Sequence, residues 1–296
     1  MKRIKRVAIV GVGLVGGSFA LALRRAGGVA TIVGVDRDGE ALERATALGV
    51  IDEPADSITG GVQGADLVVV AVPVRAAGHV LHDVGLALGD SAVVTDVGST
   101  KSEVVRVARE ELRTRFPRFV PGHPIAGRET SGVEAATAEL FKGARTVLTP
   151  TEETAPDALD LVRTCWEAVG ARVAILDARA HDRIFAAVSH LPHILSFALV
   201  SELASRDDAG ELFGFAAGGF RDFTRIAGSS PEMWRDIALQ NREALLAELD
   251  RYGARLAVFR DLVARGEGPG LERLMAEARS ARHAWAAASR RSPSLE

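Results

Sequence analysis

The first half of the chain alternates short runs of β-branched residues with longer segments whose apolar residues recur at helical spacing. This alternation is typical of a parallel sheet that is covered by helices on both faces. The apolar runs predict strands at residues 7–10, 31–35, 67–72, 92–95 and 119–120, and weaker strands at 146–148 and 172–176 that extend the same sheet. Helices are predicted between them at residues 14–26, 39–48, 74–88 and 100–116. We therefore expect a doubly wound α/β domain over residues 1–176.

After residue 176 the strand signals stop and the pattern becomes helical. A long apolar helix is predicted at residues 180–205, where Pro192 should introduce a kink. Residues 229–231 (SSP) supply a cap and a first-turn proline for a helix that continues to about residue 264, and a last helix follows at 271–288. We expect an all-α domain over residues 177–296. Its apolar positions need a covering surface, which a homodimer partner or a monomeric bundle would supply.

Composition narrows the range of partners. The 296 residues carry a formal net charge of −3, so the chain lacks the general attraction for polyanions that is typical of nucleic-acid-binding proteins. The single cysteine, Cys165, excludes an intrachain disulfide and is compatible with a reducing compartment. No uncharged run reaches the roughly 18 apolar residues of a membrane span. We expect a cytoplasmic protein that binds a small molecule and neither nucleic acid nor membrane.

A glycine-rich segment follows the first predicted strand. Gly11, Gly13 and Gly16 are spaced as in the fingerprint of dinucleotide-binding folds, and Leu14 and Val15 begin the helix within it. In that fingerprint the first glycine permits a tight turn, the second lets the backbone approach a pyrophosphate, and the third lets helix and strand pack closely. The N-terminus of the helix favours phosphate charge. The segment therefore predicts a Rossmann-like, dinucleotide-binding domain.

Residues after the next predicted strands indicate which dinucleotide is bound. Asp36 follows the second strand, where a carboxylate accepts hydrogen bonds from a ribose 2′-hydroxyl and repels a 2′-phosphate. Arg37 beside it weakens that preference, because a guanidinium can reach a phosphate. Val72 and Pro73 lie at the carboxyl edge of the sheet, where ligands bind in open α/β folds. We predict NAD as the cofactor, with these four residues in its site.

Two polar residues reach the same edge from separate strands. Ser99 and His123 each follow a predicted strand. A histidine with a pKa near neutrality can accept a hydroxyl proton while a hydride leaves the same carbon, and a serine can orient the histidine or the substrate. The pair predicts alcohol oxidation. A purely structural interpretation also exists for each: Ser99 as the N-cap of the helix at 100–116, and His123 as a turn residue before Pro124.

Five segments of the sequence form a recognisable set. They are the glycine fingerprint with Asp36, residues 96–101 (DVGSTK), residues 122–129 (GHPIAGRE), residues 189–193 (SHLPH) and residues 219–227 (GFRDFTRIA). Together they resemble the prephenate dehydrogenases, a family that includes arogenate-using relatives, and the resemblance spans nearly the whole chain. Segments 122–129 and 219–227 are the most specific of the five.

The resemblance implies NAD-dependent oxidative decarboxylation of prephenate to 4-hydroxyphenylpyruvate in tyrosine biosynthesis. It assigns His123 as the catalytic histidine on the ring hydroxyl and Ser99 as its support. It also implies that Arg225 binds a substrate carboxylate, that His193 lines the substrate pocket and that Glu129 shapes access to it. A guanidinium suits that role because it grips a carboxylate through two hydrogen bonds.

Other functions stay open at the level of sequence. The substrate could instead be arogenate, which has an amino group where the side chain of prephenate has a keto group, or it could be an amino-substituted prephenate. A β-hydroxyacid dehydrogenase or imine reductase would use Lys101 in place of His123 as the acid/base. A binding protein of the same fold would sense NAD without turning anything over.

Some of the candidate residues also have structural alternatives. Arg225 could pair with Asp222 or Glu232 on a solvated face. His190 and His193 are three residues apart and could share a helical face, but no third ligand accompanies them in the sequence. We therefore expect no metal site.

Overall fold

The computed structural model describes residues 4–128 and 130–291. Two compact units divide the chain, the first ending at His181 and the second beginning at Asp182. The boundary predicted after residue 176 lies a few residues before this division.

The first unit is built on a six-stranded sheet in which all neighbouring strands are parallel, in the order β3-β2-β1-β4-β5-β6. The strands are β1 (Ile4–Val10), β2 (Val29–Val35), β3 (Glu53–Ala55), β4 (Leu67–Val70), β5 (Val93–Asp96) and β6 (Phe119–Val120). This strand order is that of the dinucleotide-binding folds, so the predicted doubly wound domain is confirmed. The short strand β3 was not predicted.

Helices cover both faces of this sheet. They are α1 (Leu14–Arg25), α2 (Gly39–Ala47), α3 (Ile58–Val62), α4 (Ala77–Ala87), α5 (Ser102–Leu112) and α6 (Pro156–Ala168), followed by α7 (Ala178–Phe185). Along β1, Val7 and Ile9 belong to one apolar cluster while Ala8 and Val10 belong to another. Because side chains alternate across a strand, a strand that is buried on both faces is apolar at every position. This explains the continuous apolar runs from which the strands were predicted.

A second, three-stranded sheet corrects one prediction. Its strands are β7 (Gly122–Ile125), β8 (Arg145–Leu148) and β9 (Arg172–Ile175). β7 pairs with β8 antiparallel and β8 with β9 parallel. The expectation that residues 146–148 and 172–176 extend the main sheet is therefore wrong. An apolar run of four residues predicts a strand but carries no information about which sheet it joins, because its neighbours are fixed by distant contacts.

Between Asp182 and Arg291 the regular elements are all helical, as predicted. They are α8 (Leu191–Ala204), α9 (Ala209–Gly214), α10 (Gly218–Thr224), α11 (Pro231–Gln240), α12 (Arg242–Ala264) and α13 (Gly268–Arg291). The Ser230 hydroxyl accepts a hydrogen bond from the Met233 N–H at 3.3 Å, so the predicted cap is present.

The helix predicted from residue 231 to about 264 is interrupted at Asn241. The Asn241 side chain donates to the Asp182 carbonyl at 2.8 Å and lies 3.0 Å from Nδ1 of His190. Asn241 is buried, so these contacts satisfy an amide that water does not reach. A buried tertiary contact of this kind leaves no periodic signal in the sequence, which is why a single helix was predicted.

The predicted kink at Pro192 takes the form of a wider helical turn. Residues Ala186–His190 form a π-helical turn between α7 and α8, and Pro192 lies in the first turn of α8. Proline has no N–H to donate to the preceding turn, and an interruption of the regular bonding is a common cause of such turns.

The same continuous helical stretch is unusually apolar. Within the described residues, the helical stretch Ala178–Ala204 is long enough and apolar enough to cross a membrane, judged by length and composition alone. Its most apolar window has a mean hydropathy of 1.6. Only 22% of that window is buried inside the single chain. The uncharged part of this stretch, residues 184–201, is 18 residues long but includes three serines and two histidines, so it is not an unbroken run of apolar residues.

Candidate active site

The glycine fingerprint forms the tight turn between β1 and α1. Gly11 has a φ of 97°, which residues with a side chain rarely adopt, and a Cβ there would lie 2.3 Å from the Ala71 carbonyl oxygen. A Cβ on Gly16 would lie 2.1 Å from the Gly11 carbonyl oxygen. Neither position has room for a side chain, so these two glycines are required by the turn itself.

Gly13 differs from its two neighbours in the fingerprint. A Cβ on Gly13 would meet no atom within 4 Å, and its φ of −71° suits any residue. Folding therefore does not require glycine there. Open space before the N-terminus of α1, where Leu14 and Val15 begin the helix, is what a bound pyrophosphate needs. The turn fits a dinucleotide on this observation.

Asp36 lies directly after β2 with its carboxylate fixed against the same turn. One carboxylate oxygen accepts from the Val12 N–H at 2.9 Å and the other from the Asp38 N–H at 3.1 Å. A carboxylate offers about four acceptor sites, so two remain for ribose hydroxyls. Arg37 beside it is exposed.

Val72 and Pro73 follow β4 on the opposite side of the glycine turn. A methyl carbon of Val72 would lie 3.2 Å from a Cβ on Gly11, so this side chain borders the turn. Pro73 is exposed and precedes a single 3₁₀ turn, Val74–Ala76. The structure thus brings Asp36, Val72 and the glycine turn together at one edge of the sheet.

A buried ion pair joins the loop after β5 to β7. The Lys101 ammonium donates to the Asp96 carboxylate, and to the Gly122 carbonyl at 2.8 Å, and its side chain is fully buried. Asp96 also accepts from the N–H groups of Gly98, at 2.8 Å, and Gly122, at 3.1 Å. The loop that carries Ser99 is therefore fastened to the residue immediately before His123.

Ser99 is half-buried in this loop. Helix α5 begins only at Ser102, after Lys101. The structural interpretation of Ser99 as the N-cap of a helix starting at residue 100 is therefore wrong.

His123 lies on β7 and is contacted by a second imidazole. Its Nδ1 lies 2.8 Å from Nε2 of His181, with the ring planes at 62° to each other. His181 is fully buried on α7, and its backbone N–H donates to the Asp177 carbonyl at 2.9 Å. The two histidines are far apart in the sequence, and His181 belongs to none of the motifs, so sequence reasoning missed it.

Within the second unit, His193 is stacked on an aromatic ring. It lies on α8, and its ring centroid is 3.5 Å from that of Trp234 on α11, with the planes 19° apart. Its Nδ1 lies 2.9 Å from the Ser189 carbonyl, so Nδ1 carries the proton and donates it. Trp234 is buried and was also missed, because one tryptophan on an amphipathic helix is more often a core residue.

The environment keeps His193 neutral near pH 7. Burial lowers the pKa of His193 below its usual value, the hydrogen bond to the Ser189 carbonyl opposes this, and the nearby charge of Arg225 lowers the pKa further. A neutral ring with its proton on Nδ1 presents Nε2 as a hydrogen-bond acceptor.

Arg225 starts a single 3₁₀ turn, Arg225–Gly228, after α10 and is exposed in the single chain. Its positive charge adds to the lowering of the His193 pKa, of which burial is the main cause. Glu232, one of the two carboxylates considered as its partner, lies 3.8 Å from the Arg235 guanidinium instead. Glu129 lies outside the described residues.

Two family models match the chain. The nucleotide-binding domain of prephenate dehydrogenase matches residues 19–175, and the dimerization domain of prephenate dehydrogenase matches residues 177–277. The cyclohexadienyl dehydrogenase of Zymomonas mobilis is 36% identical over 284 residues, which cover 95% of this chain and 96% of that protein. The prephenate dehydrogenase of Bacillus subtilis is 37% identical over 278 residues, which cover 93% of this chain and 75% of that protein.

A solved structure is similar over both units. The crystal structure of prephenate dehydrogenase from Aquifex aeolicus, in complex with hydroxyphenyl propionate and NAD+, has a TM-score of 0.88 and 40% sequence identity, covering 94% of this chain and 97% of that one. Together with the two family models, this similarity confirms the resemblance seen in the sequence motifs. The chain belongs to the prephenate dehydrogenase family of NAD-dependent oxidoreductases.

Proposed function

We propose that the protein oxidises and decarboxylates prephenate, with NAD as the hydride acceptor and His123 as the base. The observation that carries this proposal is the fixed position of His123 on β7. Gly122, the residue before it, is hydrogen-bonded to both Asp96 and Lys101, and Lys101 belongs to the loop that carries Ser99. The family of the chain, and the ligand of the Aquifex structure, which carries a hydroxyphenyl ring and a carboxylate, support it.

The glycine turn, Asp36 and Val72 would hold NAD, which would supply the acceptor for the hydride. Nδ1 of His123 contacts His181, so the proton of the substrate hydroxyl is accepted at Nε2. Ser99 orients the hydroxyl or the imidazole. Loss of the hydride from the hydroxyl carbon and of carbon dioxide from the opposite ring carbon leaves an aromatic phenolate, and the protonated His123 returns the proton to its oxygen. Because aromatisation drives the reaction, the protein mainly positions the substrate and removes one proton.

In the second unit, Arg225 and His193 serve the substrate. Arg225 is an exposed cation next to a neutral histidine that accepts a hydrogen bond at Nε2. A guanidinium binds a carboxylate through two charge-assisted hydrogen bonds, and prephenate is a dicarboxylate. We assign Arg225 to one of these carboxylates and His193 to a polar group of the substrate beside it. Glu129 is proposed to shape access to the pocket.

The catalytic assignment is tested by the absorbance of the reduced cofactor in the presence of NAD and prephenate. His123→Asn should lower kcat about 100-fold or more, since a positioned base contributes that much, and should leave the dissociation constant of NAD within about twofold. Wild-type kcat in this variant would refute the assignment. Parallel rates with arogenate, and with NADP, decide between the two substrates and the two cofactors.

The carboxylate assignment has its own test. Arg225→Ala should raise KM for prephenate about 10- to 100-fold, the value of a lost charge-assisted contact, with a smaller change in kcat. Arg260→Ala is the matched control, because Arg260 is also an exposed arginine of the second unit and its guanidinium pairs with Asp261. Equal KM values for the two variants would contradict the assignment.

The alternative with Lys101 as acid/base is disfavoured by its surroundings. A residue that exchanges protons with a substrate must reach it, whereas Lys101 is fully buried and its ammonium is engaged by Asp96 and the Gly122 carbonyl. If the protein were a non-enzymatic NAD sensor, no reduced cofactor would form in the assays with prephenate or arogenate.

We also propose that the protein is a cytoplasmic homodimer whose second unit forms the interface. The family model for residues 177–277 is described as a dimerization domain. The apolar stretch Ala178–Ala204 is mostly unburied in the single chain, and α12 exposes Leu246, Leu256 and Val263. A second copy of the chain, rather than lipid, is the occupant we assign to these surfaces.

A further inference from the structure

The contact between His123 and His181 constrains the proton on both rings. A hydrogen bond between two ring nitrogens needs one of them to donate and the other to accept. If Nε2 of His123 accepts a proton from the substrate, the neutral ring must carry its own proton on Nδ1. Nδ1 of His123 then donates to Nε2 of His181, which in turn carries its proton on its own Nδ1.

His181 is well placed to enforce this arrangement. Its side chain is fully buried, so water does not compete for Nε2. Two hydrogen bonds at the start of α7 fix its position. The Asp177 carbonyl accepts from the His181 N–H at 2.9 Å, and the Asp177 carboxylate accepts from the Ala180 N–H at 2.9 Å. The acceptor therefore sits on a capped helix turn, opposite a strand that the Asp96–Lys101 pair holds.

We propose that His181 is a positioning residue for the reaction, which selects the Nδ1–H tautomer of His123 and thereby makes Nε2 the proton acceptor. This inference rests on the proposed role of His123 as the base. Once His123 is protonated, both of its nitrogens donate, and the bond to His181 becomes charge-assisted. His181 thus stabilises the product of the proton transfer without touching the substrate.

The test uses two amide variants of the full-length enzyme. In His181→Gln the side-chain oxygen is as many bonds from Cα as Nε2 is in histidine, so it can accept from His123. In His181→Asn the oxygen is one bond short and does not reach the N–H of His123, which is only half-buried. Both variants bury a neutral amide, so they share the cost of replacing the ring.

The expected result is a kcat for His181→Gln within about threefold of wild type and a kcat for His181→Asn lowered about 10- to 100-fold. NAD affinity and the thermal midpoint should be similar in the two variants. Equal loss of kcat in both, or wild-type kcat in His181→Asn, would overturn the proposal.

The tautomer itself is read without turnover. In ¹⁵N-labelled enzyme, the ring signals of His123, identified by their loss in His123→Asn, should show a protonated Nδ1 in wild type and in His181→Gln, and a protonated Nε2 in His181→Asn. A protonated Nε2 in the wild-type enzyme refutes the proposal. This measurement needs no substrate, so its result does not depend on whether prephenate is the substrate. The proposed function has a separate test, because a normal kcat in His123→Asn would refute it.

Discussion

At the scale of single residues, Lys101 shows how a charged side chain in a functional motif can serve the structure. It lies in the segment DVGSTK and was the candidate acid/base for a β-hydroxyacid dehydrogenase or imine reductase. In the structure its ammonium bridges the end of β5 and the start of β7. The sequence indicated that this segment has a functional role. The hydrogen-bond partners of Lys101 show that its part in that role is to link the loop of Ser99 to the strand of His123.

Lys101→Met should lower the free energy of unfolding by about 3–5 kcal/mol, because it leaves the buried Asp96 carboxylate without its counter-charge. Denaturant unfolding measures the change, and Lys142→Met, at an exposed lysine, should change it by less than about 0.5 kcal/mol. A stable Lys101→Met protein that has lost turnover would instead identify Lys101 as the acid/base.

His193 gives a prediction that depends on pH. Burial is the main cause of its lowered pKa, and the charge of Arg225 adds to it. Arg225→Ala should therefore raise the pKa of His193 toward the usual value of about 6.5, as followed by NMR titration of its ring, while Arg260→Ala should not. An unchanged pKa in Arg225→Ala would show that the two side chains do not interact.

The same lowered pKa has a consequence for stability. The folded protein binds a proton at His193 less readily than the unfolded chain does. The contribution of His193 to stability is therefore present above about pH 6.5 and is lost as the pH falls through its lowered folded pKa.

At the scale of secondary-structure elements, the glycine turn can be tested position by position. Gly16→Ala should destabilise the protein even without cofactor, because its Cβ would overlap the Gly11 carbonyl oxygen. Gly13→Ala should leave the thermal midpoint within about 2 °C of wild type and weaken NAD binding about tenfold or more, since its Cβ enters space that we assign to the pyrophosphate. NAD affinity unchanged in Gly13→Ala would contradict that assignment.

Sequence patterns predicted where the strands lie better than they predicted which strands pair with each other. Strands β1, β2 and β4 to β6 were predicted because burial on both faces makes them continuously apolar. The assignment of β8 and β9 to the main sheet failed, since the partner of a strand is set by residues distant in the sequence. The glycine turn, whose chemistry is local, could be predicted in detail, whereas the contact of His123 with His181 depends on β7 and α7 meeting in three dimensions.

At the scale of the whole molecule, the proposed dimer predicts a sedimentation mass of twice the 31.2 kDa chain. Leu256→Glu on α12 should weaken the dimer at least tenfold, because a carboxylate would replace apolar area at the interface. Leu48→Glu is the matched control: both leucines are 56% exposed, and Leu48 lies in the first unit. A monomeric wild type, or equal effects of the two variants, would contradict the proposed interface.

The π-helical turn at Ala186–His190 means that this stretch holds one residue more than a regular helix of the same length would. Each residue of an α-helix advances the chain by about 100° around the axis. Deleting one residue within this turn would therefore leave a regular helix of the same length, with His193 still facing Trp234. Inserting one residue there, where the wide turn already holds the extra one, would instead rotate His193 by about 100° and take its imidazole off the indole.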